Sequence, residues 1–272
     1  MASLLDSMWT VGEPGAAGVL AERAAAHTPL SDPHAVASLL TCLHTTRPGA
    51  QLVVLAERAA ARVPLTNANS VITLIDRLRT VGADEQACLL AGRAAARLPI
   101  TDPAVVTMLL GTLLKAGMRA QVAALLARDP AKHVTLDDVI AVAGLLKSLN
   151  AAGSAEPVAA LAARAATAAP IDVPNGMASL LNIFPGVGAG EQIPALLARD
   201  PAARVTLNRS SPAVQLRSLR AVKAHQQLTT LARRLPGAAM FSLFLDQAGE
   251  RYRFGREPDG APAPAWTWED LT

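Results

Sequence analysis

Apolar residues recur along this chain with the spacing of amphipathic helices, and the pattern is interrupted at regular intervals. In residues 66–100, an apolar helical face precedes Gly82, and an alanine-rich apolar stretch then ends before Pro99. The first face is formed by Val71, Leu74, Ile75 and Leu78. Apolar positions three and four residues apart are typical of a helix with one buried face. We therefore predict two helices that are joined by a turn at the glycine.

This helix–turn–helix pattern is a tandem repeat. Units of 35 or 36 residues follow one another at 31–65, 66–100, 101–136, 137–171 and 172–207. Residues 1–30 form an earlier unit that starts late, and residues from 208 onward begin another unit and then diverge. A period of this length is typical of helical solenoids, in which each hairpin buries its apolar faces against its neighbours.

Polar and special residues predict where the helices begin and end. Asp32 and Asp102, each followed by proline, are predicted N-caps of the first helix of their units. The first helices are predicted to end at Gly82, Gly117, Gly153 and Gly188. The second helices are predicted to end before Pro29, Pro64, Pro99 and Pro170, or earlier, at Pro130 and Pro201, in the two units of 36 residues.

Composition supports a helical core. Hydrophobic residues make up 51% of the chain but aromatic residues only 3%, so the core must consist of alanine, leucine and valine. Alanine and leucine favour helices. We predict an all-α fold, a right-handed α-solenoid of about six repeats over residues 1–235. Residues 236–272 are predicted to form a C-terminal cap helix and an aromatic, Pro/Gly-rich tail.

The period, the paired helices and the glycine between them resemble the tetratricopeptide and pentatricopeptide repeat proteins. The segment VITLIDRLRTVGADEQA (71–87) is similar to a pentatricopeptide first helix and its turn. Pentatricopeptide proteins read RNA bases with a polar side chain near the start of that helix. The matching positions here are Ala37, Ile72, Thr107, Ala143 and Ala178. Four of the five cannot form hydrogen bonds with a base, so the resemblance implies the architecture and not the RNA code.

An arginine recurs in the second helix of every unit. The column consists of Arg23, Arg58, Arg93, Arg128, Arg164 and Arg199, and Arg233 is predicted to continue it. A ligand-binding ladder for carboxylates or phosphates is one interpretation. The favoured interpretation is structural, because a residue present in every unit is what a joint between repeats needs.

Two further columns accompany the arginines. The first lies one helical turn later in the first four units and consists of His27, Arg62, Arg97 and Lys132. This regional cationic stripe is the first candidate for a binding surface, although solvated charge is the plainer interpretation. The second column consists of Gln51, Gln86, Gln121 and Gln192, for which we predict hydrogen bonds between repeats.

No pattern of catalytic residues or metal ligands stands out. The histidines lack metal-ligand spacing, and Cys42 and Cys88 are interpreted as buried free thiols. The cluster of Gly186, Gly188 and Gly190 is interpreted as the mark of a locally bent, loosened unit and not as a phosphate loop. We predict a protein that is not an enzyme and that carries no cofactor or metal, while an enzyme with a site assembled from several repeats remains a minor alternative.

The two ends carry separate predictions. Trp266 and Trp268 are either part of the C-terminal cap or anchors for a partner. The first unit enters its first helix without a cap residue, so its open apolar edge predicts self-association. The same missing cap leads us to expect that the chain is a fragment or relative of a longer array.

Charge and hydropathy bound the function classes. The net charge is +3 and no apolar run reaches the about 20 residues of a membrane span, so a cytoplasmic protein is expected. Heavy use of alanine, glycine, proline and arginine indicates a GC-rich, bacterial genome. The predicted function is a scaffold for protein–protein interaction, of which the recognition part of a signalling system is one form; binding of nucleic acid or another polyanion is the alternative.

Overall fold

The structure, a computed structural model, describes residues 14–46, 49–207, 211–248, 254–255, 257 and 261–265. Within these ranges the chain folds into helices joined by short turns, and it forms no strand. The predicted all-α helical-repeat fold is confirmed. The right hand of the superhelix stays a prediction. None of the helices in these ranges combines the length and apolar character that crossing a lipid bilayer requires.

The helices alternate between two kinds. In chain order they are α1 (Pro14–His27), α2 (Pro33–Thr46), α3 (Ala50–Arg62), α4 (Ala68–Thr80), α5 (Asp84–Arg97), α6 (Pro103–Lys115), α7 (Arg119–Leu126), α8 (Pro130–His133), α9 (Val139–Ala151), α10 (Ala155–Ala168), α11 (Pro174–Gly186), α12 (Ile193–Leu197), α13 (Pro201–Arg204), α14 (Ser211–Ala221), α15 (His225–Arg234) and α16 (Phe241–Ala248). We call α2, α4, α6, α9, α11 and α14 the A helices, because each opens a hairpin. The B helices, which close the hairpins, are α1, α3, α5, α7, α10, α12 and α15.

Two of the A helices begin as their sequences predict. The carboxylate of Asp32 accepts a hydrogen bond from the amide of His34 at 2.9 Å. The carboxylate of Asp102 accepts one from the amide of Ala104 at 2.8 Å. A proline follows each aspartate as the first helical residue, where its missing N–H costs nothing. Both predicted N-caps are confirmed.

The turns between A and B helices share one hydrogen-bonding pattern. Gly82, Gly117, Gly153 and Gly188 all have positive φ angles, between 67° and 79°. The amide after each glycine donates to the carbonyl five residues earlier, as in Ala83 to Leu78 at 2.8 Å and Ala189 to Phe184 at 2.8 Å. This is the Schellman arrangement, in which glycine avoids the steric penalty of a left-handed conformation. The turn at Gly188 is therefore ordinary.

The difference in that unit lies after the turn. A 3-10 turn, Gly190–Gln192, precedes the short α12, so the B helix of this unit starts differently from the others. The A helix also carries Pro185 in its last turn. The glycines at 186 and 190 belong to α11 and to this 3-10 turn.

The B helices of the two 36-residue units are broken in the same way. Asp129 and Asp200 have φ angles of 52° and 54°, in the left-handed region that non-glycine residues avoid. Each is followed by a proline that starts a short helix, α8 or α13. The left-handed aspartate ends the first helical segment, and the proline starts the next. The additional residue of these units is therefore accommodated by a kink. The later part of the repeat keeps its register.

The chain forms two compact units. One comprises Met1–Thr135 with Ser148–Pro157, and the other comprises Leu136–Lys147 with Val158–Thr272, so the division passes through α9 and α10. In the first unit, α2, α4 and α6 pack side by side in chain order, and so do α1, α3, α5 and α7. The A helices and B helices therefore form two layers. In the second unit, α11 packs on α14, and α13 packs on α15.

Small and branched aliphatic residues fill the core, as the composition predicts. The alanine pairs of the first three B helices are buried at Ala24, Ala25, Ala59, Ala60, Ala94 and Ala95. Leucines of the A helices face them, and Leu74, Leu78 and Leu110 are fully buried. Because alanine has the smallest side chain that still favours a helix, it lets adjacent B helices pack closely.

Gly176 marks the closest helix contact at a glycine. A β-carbon built on this residue of α11 would lie 2.7 Å from the β-carbon of Val139 at the start of α9. We expect Gly176→Ala to lower the free energy of unfolding by about 1–3 kcal/mol, because the added methyl overpacks the contact. Denaturation with urea, followed by circular dichroism, measures the change.

Gly92→Ala is the matched control for this substitution. Gly92 also lies inside a helix, α5, but an added β-carbon meets nothing within 4 Å there. Alanine at this position should raise stability by about 0.5–1 kcal/mol, because glycine is the poorer helix former. Equal effects of the two substitutions would show that the close approach at Gly176 does not limit packing.

The last hairpin keeps the turn geometry of the repeat with a different residue at the turn. Residues from 208 onward are predicted to begin another unit, and α14 and α15 form a hairpin in which the amide of Ala224 donates to the carbonyl of Leu219 at 2.9 Å. Lys223 takes the position of the turn glycine, 35 residues after Gly188, with a φ angle of 54°. The turn geometry is therefore kept without the residue that favours it.

Lys223→Gly is expected to stabilise this hairpin by up to about 1 kcal/mol. Glycine relieves the left-handed strain of lysine, and the gain is reduced by the greater freedom of glycine in the unfolded chain. The reverse substitution, Gly188→Lys, should lower stability at the equivalent turn. Amide hydrogen exchange of α14 and α15 resolves the local change, and a loss of protection with Lys223→Gly would contradict the prediction.

Candidate functional site

The recurring arginines join each repeat to the one before it. Their guanidinium groups donate to backbone carbonyls near the end of the preceding B helix. In the first compact unit, Arg58 donates to Ala25 and, at 3.2 Å, to Thr28. Arg93 donates to Ala60 at 2.6 Å and to Val63 at 2.9 Å. Arg128 donates to Ala95 and Leu98, both at 2.8 Å. In the second unit, Arg199 bonds Ala166 at 3.1 Å. These are the contacts that the structural interpretation of the ladder predicts.

The accepting carbonyls are those that a helix end leaves without a partner. In α3, the last helical hydrogen bond runs from the amide of Val63 to the carbonyl of Ala59. The carbonyl of Ala60 has no donor within the helix, because the residue four positions later is Pro64, which has no N–H. Arg93 supplies that missing donor, and its second amino group caps Val63 just after the helix. Arginine suits this role because its planar guanidinium presents several N–H groups in a fixed fork.

The last member of the ladder differs from the sequence prediction. Arg234, and not Arg233, donates to Ala202 at 2.6 Å and to Val205 at 2.9 Å. Arg233 is exposed. The distance from Arg199 to Arg234 is 35 residues, the ordinary period, whereas Arg233 is one residue short and points to another side of the helix. Arg23 is exposed, and Arg164 is half-buried at the same register.

Glutamines add a second connection between repeats. The Gln121 side-chain amide lies 2.9 Å from the Sγ of Cys88 in the preceding B helix. Gln227, which the sequence analysis missed, accepts from the amide of Ala202 at 3.0 Å and donates to the carbonyl of Leu197 at 3.3 Å. Its position 35 residues after Gln192 is the signal that could have identified it.

The cationic stripe lies on the surface at the C-terminal ends of the B helices. Its members His27, Arg62, Arg97 and Lys132 are all exposed. Lys132 forms an ion pair with Asp129 at 2.6 Å, and this hydrogen bond raises the pKa of Lys132. Arg62 and Arg97 have no ion pair with any residue of the described ranges. A cation at the C-terminus of a helix is stabilised by the helix dipole. The dipole therefore explains the positive charge at the ends of the B helices, but not the other residues around it.

An exposed apolar row runs beside the stripe and was not identified from the sequence. Val19, Val54 and Leu89 lie four residues before successive ladder arginines, and their exposed fractions are 54%, 42% and 54%. The B helices that carry them pack side by side, so the three residues form a row across the first unit. The row could have been found from the sequence, because its residues recur with the same period as the arginine column and lie four positions before each arginine. It was missed because valine and leucine in a helix were assigned to the core.

A shallow groove lies where this row reaches α5 and α7. It is lined by Cys88, Leu89, Gly92, Ala96, Arg97 and Gln121. Cys88 is exposed, so its predicted burial is wrong. The reason is its register, since it precedes the exposed Leu89 on the outer side of α5. Burial, and then the positive charge of Arg97, lower the pKa of the neighbouring Arg93.

The A helices present a different surface. Several of their hydroxyl groups donate within their own helices: Ser38 donates to His34, Thr73 to Asn69 and Ser179 to Asn175. The helix position that would read RNA is buried at Ala37, Ile72, Ala143 and Ala178. A base cannot reach these side chains, which agrees with the rejection of the RNA code.

Other sequence candidates cannot be placed. Trp266, Trp268 and the N-terminal edge at residues 1–12 lie outside the described residues. Within the described ranges, no three acidic, histidine or cysteine side chains are grouped as metal ligands.

Comparison of the chain with protein-family models, with curated proteins and with solved structures gave no match.

Proposed function

We propose that this chain is a non-enzymatic scaffold that binds another protein through the outer surface of its helical repeats. The observation that carries the proposal is the row of exposed valine and leucine side chains beside the cationic stripe in the first unit. The row extends over three adjacent helices, and exposed apolar surface rimmed by polar residues is characteristic of protein interaction sites.

The division of roles within each repeat supports this proposal. The ladder arginine, the alanine pair and the turn glycine maintain the joint between hairpins. Residues such as Leu89 and Arg97 make no contribution to that joint, although they lie in the same helix as Arg93. Their side chains are free to contact a partner, and the array repeats them at the spacing of adjacent helices, about 8–10 Å.

The cationic stripe also motivates a second candidate, a surface for nucleic acid or another polyanion. Against it, the same outer face carries Glu22, Glu57 and Glu85, all exposed. Carboxylates and apolar side chains do not favour a phosphate backbone, whose binding depends on neutralised charge. A partner protein with mixed apolar and acidic character fits this face better.

The proposal is tested by affinity capture from the native organism after nuclease treatment. A variant with Arg62, Arg97 and Lys132 all replaced by glutamate serves as the control. We expect one or more proteins to be retained by the wild-type chain, to be lost with the variant, and to bind it saturably once purified. Retention only before nuclease treatment, or a steep salt dependence of binding to nucleic acid, would favour the polyanion candidate. Absence of saturable binding by any captured protein would refute the proposal.

A further inference from the structure

The outer face of the first unit changes character at α5. The residue before each ladder arginine is Glu22 in α1 and Glu57 in α3, but it is Gly92 in α5. The negative charge of this position is therefore lost at the third B helix. A β-carbon on Gly92 would meet nothing within 4 Å, so the glycine leaves an open notch beside the exposed Leu89.

The notch lies between apolar and positive groups. Leu89 stands on one side and Ala96 and Arg97 stand on the other, eight residues or fewer along the same helix. Eight residues of α-helix span about 12 Å, which is close to the diameter of a helix with its side chains. One helix laid across the B helices could therefore rest on Leu89 and reach Arg97 with its flank.

The cations offer matching points along such a helix. Arg62 and Arg97 occupy equivalent positions of α3 and α5, which pack side by side. Adjacent helices are separated by about 8–10 Å, and residues seven apart on a helix are separated by about 10.5 Å. Two carboxylates at positions i and i+7 would therefore meet the two arginines. Glu85 also lines the groove, one helical turn before Leu89.

We propose that the outer face at α3 and α5, which includes the groove beside Gly92, binds an acidic amphipathic helix of a partner protein that lies across these two helices. Apolar side chains of that helix enter the notch at Gly92 and contact Leu89 and Ala96, while carboxylates two turns apart pair with Arg62 and Arg97. This inference rests on the proposed scaffold function and specifies its partner by chemistry. Neither arginine has a competing ion pair within the described residues, so both charges are available.

The test uses labelled synthetic helices of about 18 residues, long enough to be partly helical alone. One peptide carries a leucine face and glutamates at i and i+7 on one flank; a second has the same composition with those glutamates moved to the opposite flank; a third has lysines in their place. Fluorescence anisotropy with the full chain should show saturable binding of the first peptide only. Equal binding of all three would contradict the proposal.

Gly92→Glu and Gly92→Gln form the matched pair of variants. Glutamate restores at this position the residue found at Glu22 and Glu57, so the helix should tolerate it. We expect Gly92→Glu to weaken binding of the acidic peptide at least about tenfold through repulsion, and Gly92→Gln, of similar size, to weaken it less. Equal losses would mean that the notch is filled sterically and that charge does not select the partner.

Lys115→Glu provides a control on another face. Lys115 is an exposed cation at the end of an A helix, so reversing its charge should leave peptide binding unchanged, whereas Arg97→Glu should abolish most of it. If the peptide fails to bind but a captured protein binds and is insensitive to Gly92→Glu, this inference is wrong and the scaffold function stands. If no protein binds at all, the scaffold function itself fails.

Discussion

Replacing Arg93 with alanine is expected to lower the free energy of unfolding by about 2–4 kcal/mol. The substitution removes two charged hydrogen bonds, to the carbonyls of Ala60 and Val63, and hydrogen bonds to charged groups contribute about 1.5–3 kcal/mol each. The expected loss is smaller than the sum of two such bonds, because Arg93 is only partly buried. Urea denaturation with linear extrapolation measures the loss.

Arg97→Ala is the control, since Arg97 lies one turn later in the same helix, is exposed and has no hydrogen bond within the described residues. Its effect should remain within about 0.5 kcal/mol. Arg93→Lys should recover less than half of the loss, because an ammonium group cannot present the planar fork that two carbonyls require. Indistinguishable stabilities of Arg93→Ala and Arg97→Ala would refute the joint that we assign to the arginine ladder.

Replacing Gln215 with leucine is expected to raise the free energy of unfolding by about 1–3 kcal/mol. Gln215 is fully buried in α14, and among the described residues neither atom of its side-chain amide has a hydrogen-bond partner. An unsatisfied buried amide costs about this much. The equivalent position of the earlier A helices is a buried leucine at Leu39, Leu74, Leu109, Leu145 and Leu180. The substitution therefore restores the residue that the repeat uses elsewhere.

Two variants test whether the expected gain in stability depends on the buried position of residue 215 in its A helix. Leu180→Gln places the amide in the preceding A helix and should lower stability by at least about 2 kcal/mol. Gln226→Leu, at an exposed glutamine of α15, should change it by less than about 0.5 kcal/mol. The thermal unfolding midpoint is the measurement. No gain with Gln215→Leu would indicate that bound water satisfies the amide in solution.

Local sequence signals were sufficient for most of the fold. The turn glycines, the Asp–Pro helix starts and the period could be read directly because each reflects a local backbone requirement. The ladder was visible for the same reason, as its period is that of the repeat. Arg233 was chosen over Arg234 because adjacent arginines cannot be told apart without the exact phase of the last helix.

Only part of the candidate surface could be predicted from the sequence. Charged residues such as Arg62 and Arg97 are expected on the surface, so their column was noticed. Leu89 was not, because an exposed apolar residue and a core residue look alike until the two layers of helices fix which side faces solvent. Cys88 was assigned to the core for the same reason. Gln215 was overlooked because its cost depends on the absence of a partner, which no sequence pattern displays.

The direction of the arginine contacts has a consequence for how such a chain can change length. In every described joint, an arginine of one repeat donates to one or two carbonyl groups of the repeat before it. These acceptors are backbone atoms, which any sequence provides. Excising residues 66–100 as a cassette would bring Arg128 to the carbonyls of Ala60 and Val63, the groups that Arg93 now occupies. Whole periods are therefore interchangeable at the level of the joint, and gene duplication or deletion in steps of one period requires no new bonding chemistry.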